Sequence, residues 1–333
     1  MSLSVIREAL RVRAMRFFAL REAADPRPSS LHGAFLPPSI TLQPVIYSNG
    51  KASVKQRTGD FQFVPMAQIS ISSLDDPRLA VYRQLKRSNL TRWSGLFIAE
   101  GDKVVRRLLA SRIEVVSVLA AERCLLEFAP LVPPHVPLYV LPDRLLPEVV
   151  GFNFHRGILA CGRRPADACW QHLFAEAASR RTLLVLPAIQ GPENLGLLLR
   201  TGAALGIDAI LLGPQSADPW SRRVLRVSMG LALHVPLRQA RDVRSELQEL
   251  AERWGVRLIA AVPRAGTPLM QARQYPRLAL LFGNEGEGLE PDLLARCHEQ
   301  VAIPMPSGAD SLNVAVAAGI IMHHYLHGPV LPG

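Results

Sequence analysis

The sequence predicts an α/β fold in which a parallel sheet is covered by helices, and a smaller α/β unit precedes it. Two observations carry this expectation. From residue 182 onward, short unbroken apolar runs (TLLVLP, DAILLG, VRLIAAV, RLALLFG, VAIPM) alternate with amphipathic stretches, the pattern of strands buried on both faces. Upstream, GLFIAEG, EVVSVLAA, PLYVLP and GILACG are shorter β-rich runs separated by Pro and Gly turns. At 333 residues the chain suits two domains with sizeable cores.

Taken in order, residues 1–65 come first and are the least regular. VIREALRVRAMRFFALREAA could form a basic helix, and Arg7, Arg11, Arg13 and Arg16 suit a targeting segment, but Glu8 and Glu22 weaken that reading. The Pro- and Ser-rich stretch after it reads as linker, so a flexible extension is expected, with Met15 or Met66 as alternative starts. Residues 66–163 follow as the small α/β unit. There LDDPRLAVYRQLKRSNLTRW predicts a helix with basic spacing, GLFIAEG a strand and DKVVRRLLAS a second helix. Residues 164–181 read as a linker with a short helix. Residues 182–333 hold the regular alternation, which ends in the apolar helix around AVAAGIIMHHYL.

Composition excludes several classes of protein. No uninterrupted apolar run reaches the roughly 20 residues of a membrane-spanning helix. Cys124, Cys161, Cys169 and Cys297 form no C-x-x-C pair, which predicts reduced thiols, a cytoplasmic location and no metal site. His323 and His324 are adjacent on a helix and point about 100° apart, which suits two environments better than one ion. The net charge is +10, and the basic residues are almost all arginine. Residues 1–65 carry 9 Lys/Arg against 4 Asp/Glu, residues 66–163 carry 13 against 9, and residues 164–333 carry 16 against 15. Such a bias is expected if one part grips a polyanion and another does chemistry.

Ligand sites of open α/β sheets lie beyond the C-terminal ends of strands. Three strands are followed there by turn-rich polar stretches: AIQGPENLGLLLRTGAALG, NEGEGLEP and IPMPSGADSLNV. Taken alone, Asn194 reads as a helix cap, Arg200 as a surface arginine, Ser311 as the cap of the last helix and Asn313 as a polar residue in its first turn. GNEGEG matches neither the dinucleotide fingerprint nor a P-loop.

In order and spacing, however, P-E-N-x-G with R-T-G-A-A-L-G (187–206), LFGNEGEG (281–288) and IPMPSGADSLNVAVAA (303–318) resemble the three motifs of the SpoU-like (TrmH) family of RNA ribose 2′-O-methyltransferases, in the SPOUT superfamily. The third stretch is the most specific. The resemblance covers about 150 residues strongly. More weakly, 69–163 is similar to the small ribosomal-protein-like RNA-binding domain that many members carry, through LKRSNLTRWSGLFIAEGDKVV and GFNFHRGILAC. Two positions depart from the family pattern: Gly191 stands where an Asp is common, and Ser307 where a Gly is common.

The resemblance implies a trefoil-knotted catalytic domain, an exception to the usual unknotted topology, with Ser307, Gly308, Ala309, Ala315, Ala317, Ala318 and Gly319 as the small residues at the crossing. It implies S-adenosyl-L-methionine as cofactor, held at Gly283, Ile303, Met305, Leu312 and Asn313. Arg200, Asn194, Glu285, Ser311 and Asn313 become the catalytic candidates. A guanidinium is a poor base, so Arg200 is expected to bind phosphate and orient the 2′-hydroxyl. A homodimer and an RNA substrate are implied, ribosomal before transfer RNA. The basic run Arg78, Arg83, Lys86, Arg87 and Arg92 is the candidate RNA grip. A catalytically silent RNA-binding relative is the rival reading. A dinucleotide enzyme is disfavoured, because QGPENLG lacks the Gly-x-Gly-x-x-Gly turn.

Overall fold

The computed structural model describes residues 68–83, 85, 94–175, 180–306 and 311–328, all within one compact unit. The first part, in chain order, comprises β1 (Gln68–Ser70), β2 (Leu96–Glu100), α1 (Asp102–Leu109), β3 (Val115–Ala121), α2 (Leu125–Phe128), β4 (Leu138–Leu141), α3 (Leu146–Val150) and β5 (Ile158–Arg163). Its sheet order is β1-β4-β3-β5-β2, with β1, β4 and β3 mutually parallel and β5 antiparallel to both β3 and β2. One face of α1 buries Val104, Val105 and Leu108 against this sheet.

Of the stretch LDDPRLAVYRQLKRSNLTRW, where a helix is expected, the described residues form a tighter turn at its start, and residues 84 and 86–93 lie outside them. Pro77–Tyr82 is a 3-10 helix that starts where the Asp76 carboxylate accepts from the Arg78 amide, and Arg83 is already extended. Residues 1–65 lie outside the described residues, as do Lys86, Arg87 and Arg92.

The second part contains α4 (Trp170–Leu173), β6 (Arg181–Leu186), α5 (Pro192–Leu205), β7 (Ala209–Leu212), α6 (Arg222–Val227), β8 (Leu237–Gln239), α7 (Val243–Glu252), β9 (Arg257–Ala261), β10 (Thr267–Pro268), β11 (Arg277–Leu281), α8 (Pro291–Arg296), β12 (Glu299–Ala302) and α9 (Val314–His327). The sheet order is β10-β12-β9-β11-β6-β7-β8, and every pairing is parallel. The central strands are the unbroken apolar runs, because helices cover both faces and leave no side for polar residues. The chain enters at β6, builds outward through β7 and β8, then returns to place β11 on the other side of β6. Strand order therefore reverses between β6 and β11, and the loops leaving their C-terminal ends flank a crevice.

One apolar core is continuous between the two sheets, joining Phe97, Val104 and Leu108 to Leu198, Trp220 and Leu233. The loop that the implied knot threads, Ser307 to Asp310, lies outside the described residues. Among the described residues, no helix is long and apolar enough to cross a membrane, no group of His, Cys, Asp and Glu could hold a metal, and all four cysteines are free.

Candidate active site

The first polar stretch leaves β6 and enters α5 with Gly191 as N-cap and Pro192 at the first position, without a side-chain cap. Asn194 therefore does not cap its helix. It sits partly buried in the first turn, and its Oδ1 accepts from Asn313 Nδ2 at 3.1 Å. Asn313, not Ser311, is the N-cap of α9: its Oδ1 accepts from the Ala315 amide at 3.0 Å and the Val316 amide at 3.4 Å. The cap settles which way the Asn313 amide faces, and that orientation turns Nδ2 toward Asn194. Among the described residues nothing engages Asn194 Nδ2, so it remains a donor for a ligand oxygen.

The second stretch is a closed turn after β11. Asn284 and Gly288 exchange backbone hydrogen bonds at 3.1 and 3.0 Å, and Asn284 Oδ1 accepts from the amides of Gly286 (2.7 Å) and Glu287 (2.9 Å). A Cβ at Gly283 would lie 2.0 Å from the carbonyl carbon of Gly288, so the turn closes only over glycine. Glu285 stands exposed at its tip.

Between this turn and the third stretch lies a cavity of about 430 Å³, a size typical of small-molecule sites. Gly283, Glu285, Ile303, Met305, Ser311 and Leu312 all line it. Asn313 is outside that lining, at the Asn194 contact beside it. The remaining walls come from Ala261 to Pro263 after β9 and from Val314, Ala317 and Ile321 on α9. An apolar wall, a glycine turn with its backbone exposed and polar groups at Asn284, Glu285 and Ser311 fit S-adenosylmethionine, whose adenine and methionine chain need apolar contact and whose ends need hydrogen bonds. The β9 loop and Asn284 were not among the sequence candidates. The Asn before Glu-Gly-Glu-Gly was the available signal, since Asn side chains bond amides two residues on.

Other candidates are not joined to this cavity by any contact among the described residues. Arg200 lies on the exposed face of α5 with Glu193 and Leu197, and no hydrogen bond or ion pair among the described residues brings it to Asn194 or Glu285. Glu193 pairs with Arg223 of α6 at 2.5 Å, which holds its carboxyl below the usual carboxylate range. Of the basic run, Arg78 is tied to Asp76 at 2.5 Å, and Arg83 donates to the backbone carbonyls of Leu74 and Asp76. Those two side chains therefore brace their own turn, which reduces what they can offer a phosphate.

Residues 181–323 match the SpoU rRNA Methylase family. The chain is 39% identical over 259 residues to an uncharacterized tRNA/rRNA methyltransferase of Mycobacterium tuberculosis H37Rv, covering 75% of this chain and 88% of that one. It is 28% identical to the Bacillus subtilis 23S rRNA (guanosine(2553)-2′-O)-methyltransferase RlmP, over 76% of this chain and 98% of the relative. Among solved structures, the AdoMet-bound rRNA methyltransferase of Sinorhizobium meliloti superposes with a TM-score of 0.66 at 22% identity, covering 78% and 97% of the two chains, a likeness of fold.

The seven-stranded parallel sheet with polar loops at its switch point, preceded by a small mixed sheet, together with the family match and these relatives, places the chain in the SPOUT class of RNA methyltransferases. Within that class the chain belongs to the SpoU rRNA methylase family.

Proposed function

We propose that this protein transfers a methyl group from S-adenosyl-L-methionine to a ribose 2′-hydroxyl of ribosomal RNA. The observation that carries the reading is the Asn313–Asn194 hydrogen bond at the rim of the cavity lined by Gly283, Ile303, Met305, Ser311 and Leu312. The cavity provides for a methyl donor, and the paired asparagines provide a fixed polar edge beside it. The ribosomal preference is supported by the B. subtilis relative and by the extra mixed-sheet unit.

The cofactor supplies the electrophilic methyl carbon; the chain supplies position. Ile303, Met305, Leu312 and the backbone at Gly283 hold the donor. Asn194 Nδ2 donates to the ribose, Ser311 hydrogen-bonds beside the reacting hydroxyl, and Glu285 orders the polar rim. Arg200, whose guanidinium presents forked donors that match a phosphate, binds the phosphate next to the methylated ribose and so positions the strand. In this reading, residues 66–163 bind RNA, 164–181 join the two parts, and 182–333 carry the transfer. Two copies pack through the exposed apolar side of α5 and α9, where Leu197, Val316 and Ile320 are 39%, 52% and 42% exposed.

Calorimetric titration with S-adenosylmethionine and tritium transfer to ribosomal and transfer RNA test the reading. Saturable binding with transfer to ribosomal RNA is expected. Arg200→Ala should cut transfer by about 100-fold or more while leaving cofactor binding intact. Undiminished transfer in that variant would remove Arg200 from the site, and transfer confined to tRNA would reassign the substrate.

A further inference from the structure

A second cavity, of about 420 Å³, lies where the two α/β parts meet, and it is lined by Asp102, Lys103, Val104, Arg156, Arg226 and Met229. Three cations from three separate segments converge on it: Lys103 from the first turn of α1, Arg156 from the loop before β5 and Arg226 from α6 of the other part. Their counter-charges are mostly spent elsewhere. Asp102, the one acid in the lining, is held by Arg106 at 2.6 Å, and Glu100, 3.2 Å from Arg226, is shared with Arg222. Lys103 and Arg156 are exposed, and no ion pair or side-chain hydrogen bond engages either of them among the described residues. Among the described residues Lys103 and Arg156 therefore add positive charge to the cleft with no internal partner, while Arg226 shares Glu100 with Arg222.

The cleft is also built firmly. The Arg156 loop is clamped by its own backbone: Arg123 Nη2 donates to the His155 carbonyl at 3.0 Å, Ala121 N to the Gly157 carbonyl at 2.7 Å and Gly101 N to the Ile158 carbonyl at 3.0 Å. Gly101, at φ +88, lies directly under the Arg156 stem, where a Cβ would meet Arg156 Cδ at 2.7 Å. Finally, the cleft is connected to the candidate active site. One turn along α6 from Arg226 is Arg223, which pairs with Glu193, the neighbour of Asn194, and the charge of Arg226 itself is felt at Glu193. A polyanion lying in the cleft and following α6 would arrive at Asn194.

We propose that the cleft formed by Lys103, Arg156 and Arg226 is a phosphodiester-binding subsite that seats the RNA strand across both α/β parts and leads it along α6 to Asn194. This rests on the RNA-methyltransferase reading above. Because α1 and α6 belong to different parts of the fold, the subsite sets the distance between gripped phosphate and methylated ribose.

The test uses the full-length chain and its Lys103→Ala/Arg156→Ala variant, with a fluorescein-labelled, mixed-sequence single-stranded RNA followed by anisotropy across a salt series. Each phosphate contact on single-stranded nucleic acid adds about 0.7 to the slope of log affinity against log salt, so losing two should lower that slope by about 1.4 and weaken binding at every salt concentration. Among the described residues neither side chain has an ion-pair or hydrogen-bond partner to lose, so the melting temperature should not move. An unchanged slope and affinity, or wild-type protein that binds no RNA, would overturn the subsite. S-adenosylmethionine titration on the same samples separates the two ideas: failure to bind cofactor sinks the function, whereas cofactor binding with an unaltered RNA slope sinks the cleft alone.

Discussion

Asn313 performs two tasks with one amide: its oxygen caps α9 and its nitrogen holds Asn194. Substitutions separate them. Asn313→Ala loses both, so the melting temperature should fall, in line with a cap loss of about 1 kcal/mol, and methyl transfer should drop with it. Asn313→Asp keeps an acceptor at the helix start, where negative charge is favourable, but cannot donate to Asn194. Its melting temperature should stay at or above wild type while transfer falls about tenfold or more. Thermal denaturation alongside tritium transfer reads both quantities, and full transfer in Asn313→Asp would mean that the asparagine pair has no part in catalysis. The sequence around it could not assign the cap. Ser311 and Asn313 are both good capping residues two positions apart, and only the backbone decides, with Asn313 at φ −51 and ψ 137 outside the helix. The same limit applies to Asn194, whose capping chemistry is taken over by a contact 119 residues away.

At the scale of elements, the strands with unbroken apolar runs were legible because a strand covered on both faces cannot hold polar residues, whereas β1 and β10, of 3 and 2 residues, leave too little pattern to read. Helix α9 was legible as a helix but not in its orientation. It is apolar all round, so periodicity could not say which side is buried. The structure turns Val314, Ala318, Ile321, Met322 and Tyr325 inward and leaves Val316 and Ile320 exposed, as Leu197 is on α5, the helix that α9 packs against. If that face joins two copies, Val316→Glu/Ile320→Glu should convert a dimer to a monomer in sedimentation velocity while the far-ultraviolet dichroism stays unchanged. A wild-type protein that sediments as a monomer at micromolar concentration would refute the assignment.

Across the whole molecule, the two sheets are joined by a junction that no local reading could supply, since its partners lie more than 50 residues apart. Phe97 and Trp220 pack with ring centroids 5.3 Å apart, and charged groups surround them. Arg164 forks onto Asp218 at 2.9 and 2.7 Å, and Glu100, 3% exposed at the end of β2, accepts from Arg222 at 2.8 Å and Arg226 at 3.2 Å. Arg222 also donates to the Leu85 carbonyl and lies over the Phe152 ring at 5.1 Å. Burial lowers the pKa of Arg222 and the Glu100 charge opposes that effect, so the carboxylate is what keeps a desolvated guanidinium tolerable there. Glu100→Gln should therefore cost stability, up to about 3 kcal/mol, because it strands two arginines in a partly dry junction. Glu100→Met/Arg222→Met, which removes buried charge of both signs, should recover much of that loss. Since the apolar core runs unbroken between the sheets, each variant should still unfold in a single transition, with Trp fluorescence and far-ultraviolet dichroism giving the same urea midpoint. Separate midpoints in the wild type would show two independently folding parts, and a Glu100→Gln midpoint equal to wild type would show that the ion cluster holds nothing together.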